Sequence, residues 1–534
     1  MKRTLSFLAI CALAATAGLT ACSTGGSPNG TPSGDAHYVT DGTLTMSQVS
    51  DPGALDPQLS IVSGVFDMTF YAYDSIVGID PTGKVLPQLA KSWTYEGDSA
   101  VFTLNSGITC SDGSTLTAQT VADNINWLED VNNASPFLGT FLPVGITATA
   151  DAGANTVSLT LAQPAPFLLQ TLANVPIVCA AGLADRTQLQ AGTLGSGPYQ
   201  LTEAVPGDHY TYERRDGYTW GPDGATTTAV GLPKTIVVKI VPNESTAVNL
   251  LLSGDVNVTT TVGPDADRAR AAGLTSVPVP AILGLTWYNH TVGHPTADQA
   301  VRQALTQAVD FDNLAKVITG GTGSRAKDLA VIPPAPCDYD ATTGHLATYD
   351  AAAARATLEA DGYTLGADGM YAKDGQPLTV SFLYDSTLGT PGQSAAELAV
   401  QQWTAAGITI QMNSYDSAQM SQILFGTGDW DMVWEPINVN SPDQMTSFLS
   451  GPGLADGGSN FSLINNPDYS AAVDQALTQT GTDACGSFQQ AESALYQDSD
   501  IVAWAVRPND IFLNKVEFVY VGRTQVTSLR LLAA

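Results

Sequence analysis

The chain has 534 residues, a length that predicts about three domains rather than one hydrophobic core. Hydrophobic residues make up 44% and charged residues 13%, a balance that excludes intrinsic disorder as the overall state. Asp and Glu outnumber Lys and Arg by 51 to 21, and the resulting charge of −30 repels polyphosphate, which excludes a general nucleic-acid binder.

The N-terminal segment has the pattern of an export signal followed by a linker. A basic pair precedes an apolar run from Leu5 to Leu19, which is too short to span a bilayer comfortably. Leu19-Thr20-Ala21-Cys22 resembles the lipobox of bacterial lipoproteins. We therefore expect a signal peptide over 1–21, a lipid on Cys22 that holds the protein at the outer face of the cell membrane, and a flexible tether over 22–36. The alternative is an ordinary signal peptide with an incidental cysteine.

Strand and helix patterns alternate along the rest of the chain. Alternating or β-branched runs bounded by Gly, Pro or Asp predict strands, and apolar residues at helical spacing predict helices. Asp350 is a predicted N-cap, and Gly362 is a predicted helix stop. The alternation favours α/β layers with partly parallel sheets. The predicted elements are, in chain order, strands at 43–46, 101–104, 157–161, 210–213 and 235–241, helices at 244–252, 298–309, 351–360 and 395–406, and a strand at 408–412.

Nine short motifs follow one another in the order of a known family. They are Leu55-Asp56-Pro57, Tyr73-Asp74-Ser75-Ile76-Val77, Leu86-Pro87-Gln88-Leu89-Ala90-Lys91-Ser92-Trp93, Ser111-Asp112-Gly113-Ser114-Thr115-Leu116-Thr117-Ala118, Gly195-Ser196-Gly197-Pro198-Tyr199, Leu252-Ser253-Gly254-Asp255-Val256, Val301-Arg302-Gln303-Ala304-Leu305, Tyr349-Asp350 and Asp431-Met432-Val433-Trp434. This succession resembles the peptide/nickel family of extracytoplasmic solute-binding proteins of ABC importers, including the dipeptide- and oligopeptide-binding proteins. The resemblance covers nearly all of residues 44–510.

The resemblance implies an α/β fold, the two-lobed periplasmic-binding-protein clamp of the large oligopeptide-binding type. Lobe I comprises 37–70, 195–280 and 507–534, an extra domain at 71–194 is inserted in it, and lobe II comprises 281–506. The implied ligand, most favourably a peptide, binds in the cleft between the lobes. The clamp closes on the ligand, and the ABC permease recognises this closed form. We expect a monomeric receptor with no catalytic activity, no cofactor and no metal site.

The remaining cysteines predict disulfide bonds. An even number of cysteines in an exported chain favours two bridges over free thiols. The pairing Cys110–Cys179 with Cys337–Cys485 is preferred because each pair falls inside one region of the implied clamp. The other two connectivities stay open.

The segment Trp430–Asp443 is the main candidate for ligand binding, because an apolar strand there runs into a loop of Asn, Pro and Asp. We expect Trp434 to stack on a peptide, Glu435 and Asp443 to receive an ammonium group, and Asn438 to offer its amide. The alternative for Trp434 is a position in the core of lobe II. We expect such a core position for Trp430, the first residue of the segment.

Two features weaken the interpretation as a dipeptide receptor. Peptide binders of the family commonly carry an Asp three residues after this Trp to anchor the peptide amine, and Ile437 stands there. The region 385–392 offers no Arg for a C-terminal carboxylate. Without these residues for the two ends of a dipeptide, a longer peptide held by its main chain or a non-peptide solute is the better candidate ligand.

Secondary cleft candidates are Tyr288, Asn289 and Ser63, for which ordinary hinge or loop structure is the alternative. His290 and His294 are four residues apart, but the glycine and proline around them argue against a helix that would align them on a metal. The functional alternatives are a secreted hydrolase and a peptide-sensing signalling receptor, and the ligand alternatives are an opine, a sugar or a metal complex.

Overall fold

The computed structural model describes residues 38–61 and 63–533, without the side chains of residues 63, 387, 417 and 418. From Tyr38 onward the chain forms one compact unit. The predicted signal peptide, the tether and the lipidated Cys22 lie outside the described residues. No helix in the described part is long and apolar enough to cross a membrane.

The predicted strands are present, several of them longer than the sequence patterns indicate. In chain order the strands are β1 (Thr43–Gln48), β2 (Val77–Ile79), β3 (Val85–Pro87), β4 (Ala90–Tyr95), β5 (Ser99–Leu104), β6 (Thr147–Asp151), β7 (Thr156–Thr160), β8 (Tyr199–Val205), β9 (His209–Arg214), β10 (Thr235–Ile240), β11 (Val258–Thr261), β12 (Thr275–Tyr288), β13 (Thr364–Leu365), β14 (Tyr371–Lys373), β15 (Gln376–Pro377), β16 (Thr379–Asp385), β17 (Thr409–Tyr415), β18 (Met432–Trp434), β19 (Ile501–Leu513), β20 (Val516–Glu517) and β21 (Arg530–Leu531).

The helices follow the predicted periodicity. They are α1 (Ser63–Ala72), α2 (Ala118–Glu129), α3 (Leu168–Leu172), α4 (Ala180–Ala184), α5 (Glu244–Ser253), α6 (Gly263–Ala271), α7 (Gln299–Gln307), α8 (Phe311–Ile318), α9 (Ala351–Ala360), α10 (Gly389–Ala405), α11 (Ser417–Gln422), α12 (Thr446–Leu449), α13 (Pro467–Leu477) and α14 (Cys485–Gln497). Helix α9 has the predicted bounds, and the Asp350 carboxylate accepts from the amides of Ala352 and Ala353. Helix α10 begins six residues before its predicted start, because Pro391 needs no hydrogen-bond partner in a first turn.

One mixed sheet runs through both predicted lobes. Its ten strands lie in the order β17-β16-β18-β12-β19-β11-β1-β10-β9-β8. Strand β1 pairs in parallel with β10 and β11, and β16 pairs in parallel with β17 and β18. The long strands β12 and β19 are antiparallel and join the two parallel groups. The prediction of partly parallel sheets is therefore correct.

The buried apolar side chains of the described chain form three main clusters. One lies mostly within 282–505, a second mostly within 76–179 around the sheet β4-β5-β7-β6 and α2, and a third around β1, β10 and the C-terminal segment. Phe167 of the extra domain joins the first cluster, with its ring 5.9 Å from that of Phe488. The clusters do not test the predicted domain boundaries, which stay predictions.

Both preferred disulfides are present. Cys110 is bonded to Cys179, within the extra domain, and Cys337 is bonded to Cys485, within lobe II. The second bridge ties the start of α14 to a loop 148 residues earlier. Such long closed loops restrict the unfolded chain strongly.

The β12–β19 ladder leaves no room for a side chain at Gly284. A Cβ atom at this position would lie 2.4 Å from Cδ2 of the buried Trp504. We expect Gly284→Ala to lower the free energy of unfolding by roughly 1–3 kcal/mol, because the indole ring has to move. Urea denaturation measures the change.

Gly486→Ala is the matched control. This glycine lies exposed in α14, and nothing approaches its Cβ position within 4 Å. Because alanine is the better helix former, we expect an unchanged or slightly higher free energy of unfolding. Equal effects of the two substitutions would contradict the packing argument for Gly284.

Candidate functional site

A cavity of about 320 Å³ lies at the carboxyl ends of the parallel strands β1, β10 and β11. Met46 of β1, Val238 of β10 and Val258 of β11 form its apolar floor. Ligands of open α/β sheets bind at the carboxyl ends of parallel strands, because the chain leaves the sheet there in loops. Its position and size mark this cavity as the candidate ligand site.

The crossing strands form a second wall of the cavity. Val279 of β12 and Asn509 and Ile511 of β19 line it. These residues belong to the ladder that leads from lobe I to lobe II. A ligand in the cavity therefore contacts the connection between the lobes directly.

Helix α1 covers the cavity with Gly64, Asp67 and Tyr71. The Tyr71 hydroxyl lies 2.9 Å from Sδ of Met46, and Nε2 of Gln48 donates to the Gly64 carbonyl at 2.6 Å. The Oε1 atom of Gln48 is buried and has no hydrogen-bond partner among the described residues.

Asp67 is the only carboxylic acid among the described lining residues, and its charge is poorly compensated. Burial raises the pKa of Asp67 to about 7, although the Arg523 guanidinium opposes the shift. Arg523 is itself engaged elsewhere, since it donates to Oδ1 of Asn174 at 2.6 Å and to the Ala173 carbonyl at 2.9 Å. No described residue donates a hydrogen bond to the Asp67 carboxylate. The sequence does not reveal this residue, because a single Asp in an otherwise apolar helix is typical of an ordinary surface position.

The principal sequence candidate, Trp434, lies in the core of lobe II. It is fully buried, with its ring 4.9 Å from that of Phe382 and 4.8 Å from that of Trp504. Trp430 is buried as well, as expected. In this conformation Trp434 occupies the place that the sequence analysis gave as its alternative. Stacking of Trp434 on a ligand stays a prediction.

Glu435 and Asn438 both contact strand β12. The Glu435 carbonyl accepts from the Trp287 indole at 2.8 Å, and Asn438 Oδ1 accepts from the Ile282 amide at 2.7 Å. Burial raises the pKa of Glu435 to about 7, with the nearby Asp385 adding to the shift. These contacts give both residues a role in joining β18 to the ladder, and their role in binding stays a prediction.

Asp443 lies at the boundary between lobe II and the extra domain. It lines a separate cavity of about 220 Å³ together with Thr140 and Phe141. Next to it, Nε2 of Gln444 donates to the Thr140 carbonyl at 3.1 Å. Burial raises the pKa of Asp443 to about 6, and a hydrogen bond from Ser441 partly offsets this. The structure therefore separates Asp443 from the cavity that contains Asp67.

The secondary candidates Tyr288 and Asn289 have structural contacts. The Tyr288 hydroxyl is buried 3.0 Å from Oγ1 of Thr306. The Asn289 amide donates to the Trp430 carbonyl at 2.8 Å. Neither residue lines the Asp67 cavity. Ser63 begins α1 beside this cavity, and its side chain is outside the described part of the chain.

The family motifs meet around one buried carboxylate, that of Asp74. It accepts from the Tyr218 hydroxyl at 2.7 Å, the Ser196 hydroxyl at 2.8 Å, the Gln88 amide at 2.9 Å and the Trp220 indole at 2.9 Å. Three of the motifs named above contribute to these contacts. Their role is to fasten the extra domain to lobe I.

Close packing explains why two positions of the Gly195-Ser196-Gly197 turn are glycines. A Cβ at Gly195 would lie 2.2 Å from the Ala72 carbonyl oxygen, and a Cβ at Gly197 would lie 2.4 Å from the Ala72 carbonyl carbon. The turn packs directly on the backbone at the end of α1. Only glycine permits so close an approach.

Comparison with known families decides the identity. The family of bacterial extracellular solute-binding proteins, family 5, matches residues 84–457, which is most of the chain. The protein is a family 5 extracellular solute-binding protein. The resemblance predicted from the motifs is thereby confirmed.

Relatives of this solute-binding protein cover most of its length. The dipeptide-binding protein of Escherichia coli (strain K12) is 26% identical over 452 residues, or 79% of this chain and 81% of its own. The crystal structure of a substrate binding protein from Microbacterium hydrocarbonoxydans, complexed with 4-hydroxybenzoate hydrazide, matches with a TM-score of 0.72 and 27% identity over 92% of this chain and 99% of its own.

A third similarity supports the fold alone. The ABC transporter substrate binding protein CtaP from Listeria monocytogenes matches with a TM-score of 0.74 and 18% identity over 92% of this chain and 100% of its own. The solute-binding protein shares the two-lobed fold of the oligopeptide-binding type, as the motifs predicted.

The raised pKa of Asp67 predicts a pH-dependent gain in stability for Asp67→Asn. Between about pH 4 and pH 7 the folded protein binds more protons at Asp67 than the unfolded chain does, so this residue lowers the free energy of unfolding as the pH rises. Because Asn resembles the protonated acid, we expect the variant to be more stable than the parent at pH 8, by on the order of 1–3 kcal/mol, and similar to it at pH 4.

Urea denaturation at the two pH values measures this difference. Asp123→Asn is the control, since Asp123 is exposed on α2 and accepts a hydrogen bond from the Gln119 side chain at 2.8 Å. The control variant should show no pH-dependent change. An equal effect of Asp67→Asn at pH 4 and pH 8 would contradict the assigned ionisation.

Proposed function

We propose that this protein is a membrane-anchored receptor that captures a solute, most favourably a peptide, between its lobes and delivers it to an ABC import permease. The observation that carries the proposal is the cavity beside the β12–β19 ladder, which couples ligand contact to the connection between the lobes. The E. coli relative, named for binding a dipeptide, supports the choice of ligand class.

Capture and signalling follow from one equilibrium. A ligand shifts the clamp toward closure only by the difference between its affinities for the closed and open forms. Contacts made to Val279, Asn509 and Ile511 change when the ladder bends, so they are the contacts that supply such a difference. Nε2 of Gln444, in the predicted lobe II, donates to the carbonyl of Thr140, in the predicted extra domain, and this contact joins the two regions.

Membrane attachment is the second part of the proposal. It rests on the lipobox ending at Cys22, which follows a basic pair and an apolar run in the order that lipoprotein export requires. We expect Cys22→Ser to release the protein from the membrane fraction of the producing bacterium, because no acyl chain is attached. Fractionation followed by immunoblotting measures this. A variant that stays wholly with the membrane would contradict the lipid anchor.

Binding itself is tested with a peptide mixture. We expect an enzymatic casein hydrolysate to raise the melting temperature of the purified protein by several degrees, since a ligand that binds only the folded state stabilises it. Mass spectrometry of the desalted complex then identifies the retained peptides. A melting temperature that stays constant with the hydrolysate, together with an empty mass spectrum, would contradict peptide capture.

A further inference from the structure

Asp67 has no hydrogen-bond donor among the described residues, and it lies in a largely apolar cavity that the sequence motifs do not reveal. We propose that Asp67 binds the amine end of a cationic solute about the size of a dipeptide, whose remaining surface is apolar. This inference rests on the proposed receptor function and names the ligand class of the same cavity.

The charge of the cavity favours a cation. The described residues that line it include no Lys, Arg or His, and no nitrogen of these residue types lies within 4.0 Å of the Asp67 carboxylate in the described chain. Arg523, whose charge acts on Asp67, is turned toward Asn174 and lies 3.8 Å from the Phe70 ring centroid. The negative charge is thus available to a ligand.

The unused acceptor oxygens of Asp67 favour a donor-rich group. An ionised carboxylate accepts about four hydrogen bonds, and no described residue supplies one to Asp67. Asp67 is partly exposed to the cavity that it lines, so its carboxylate oxygens are open to donors of a ligand. An ammonium group supplies three N–H donors and one positive charge.

The other lining residues and the volume of the cavity indicate the polarity and the size of the rest of the ligand. Met46, Val238, Val258, Val279 and Ile511 line the cavity with apolar surface. A volume of about 320 Å³ equals about ten water molecules at roughly 30 Å³ each, which suits two amino-acid residues.

Asp67 also offers a carboxylate in place of the amine-binding Asp that the sequence lacks in lobe II. Lobe II has Ile437 where the peptide binders of the family commonly place an amine-binding Asp, and the structure buries the preceding Trp434 in the core. The carboxylate of Asp67 lies instead on lobe I, on helix α1. The polar end of the ligand is therefore held by lobe I.

Amine binding by Asp67 has a characteristic pH dependence. The titratable and charged groups that act on Asp67 are Arg523, Tyr71 and Tyr520. Burial raises the pKa of both tyrosines above their usual range, and burial lowers that of Arg523 only to about 10, so Asp67 alone among them titrates near neutrality. We expect the affinity for an amine to fall roughly tenfold between pH 7 and pH 5.5, as Asp67 becomes protonated.

The experiment compares peptides with free and blocked amines. The wild-type protein is incubated with an enzymatic casein hydrolysate, either untreated or acetylated with acetic anhydride, and retained peptides are identified by mass spectrometry. The most enriched peptide is then titrated calorimetrically in its free and N-acetylated forms. We expect acetylation to weaken binding by at least tenfold, a measurement that does not depend on the folding of any variant.

Variants assign this preference to Asp67. We expect Asp67→Asn, with its fold verified by circular dichroism, to bind the free and acetylated peptides within threefold of each other and to lose the pH dependence. Asp123→Asn, on α2 outside the cavity, should keep the wild-type preference.

The outcomes separate this inference from the receptor function. Equal retention of free and acetylated peptides by the wild type would overturn amine binding and leave peptide capture intact. A full amine preference in Asp67→Asn would place the amine elsewhere and overturn the role of Asp67. Retention of neither mixture would overturn both proposals.

Discussion

The antiparallel pairing of β12 with β19 is the interaction on which the whole molecule depends. It runs from Thr275 opposite Leu513 to Trp287 opposite Ile501 and carries the lobe I sheet into the lobe II sheet. Pro280 stands opposite Pro508, and neither proline has an N–H to donate to the ladder. The candidate cavity lies beside this pair, where Val279 and Asn509 line it. A ligand in the cavity therefore lies next to the connection between the two parts of the sheet.

Hydrogen bonding separates Asp74 and Asp56, whose carboxylates the fold pairs, from Asp67, whose carboxylate has no described donor. Asp74 accepts four hydrogen bonds from motif and neighbouring side chains, and Asp56 is paired with Arg186 and accepts from the Gln58 amide. Both hold the extra domain on lobe I. Asp67 lies on the helix between these two residues in sequence and has no donor among the described residues. An acid that the fold leaves unsatisfied is available for chemistry with a partner molecule.

Sequence reasoning succeeded where local rules decide the structure. The bounds of α9 follow from its cap, the disulfides follow from the regions implied by the motifs, and the family follows from the order of those motifs. It did less well where the outcome depends on what packs against a residue. Trp434 has the same local sequence whether it lines a cleft or packs between Phe382 and Trp504, and a lone Asp67 in an apolar helix shows nothing of the cavity that it faces.

What the overall charge of −30 says about a ligand depends on where the carboxylates lie. Many of them stabilise turns at the surface: the Ser114 hydroxyl and amide lower the pKa of Asp112, and the Thr187 hydroxyl, with the Gln188 side chain, lowers that of Asp185. Such groups are solvated and screened by salt, so they carry little information about a ligand. A carboxylate inside a cavity acts through a lower dielectric than a surface carboxylate does, and it attracts a cation more strongly. The chemistry of the ligand is thus set by Asp67 rather than by the acidic balance of the chain.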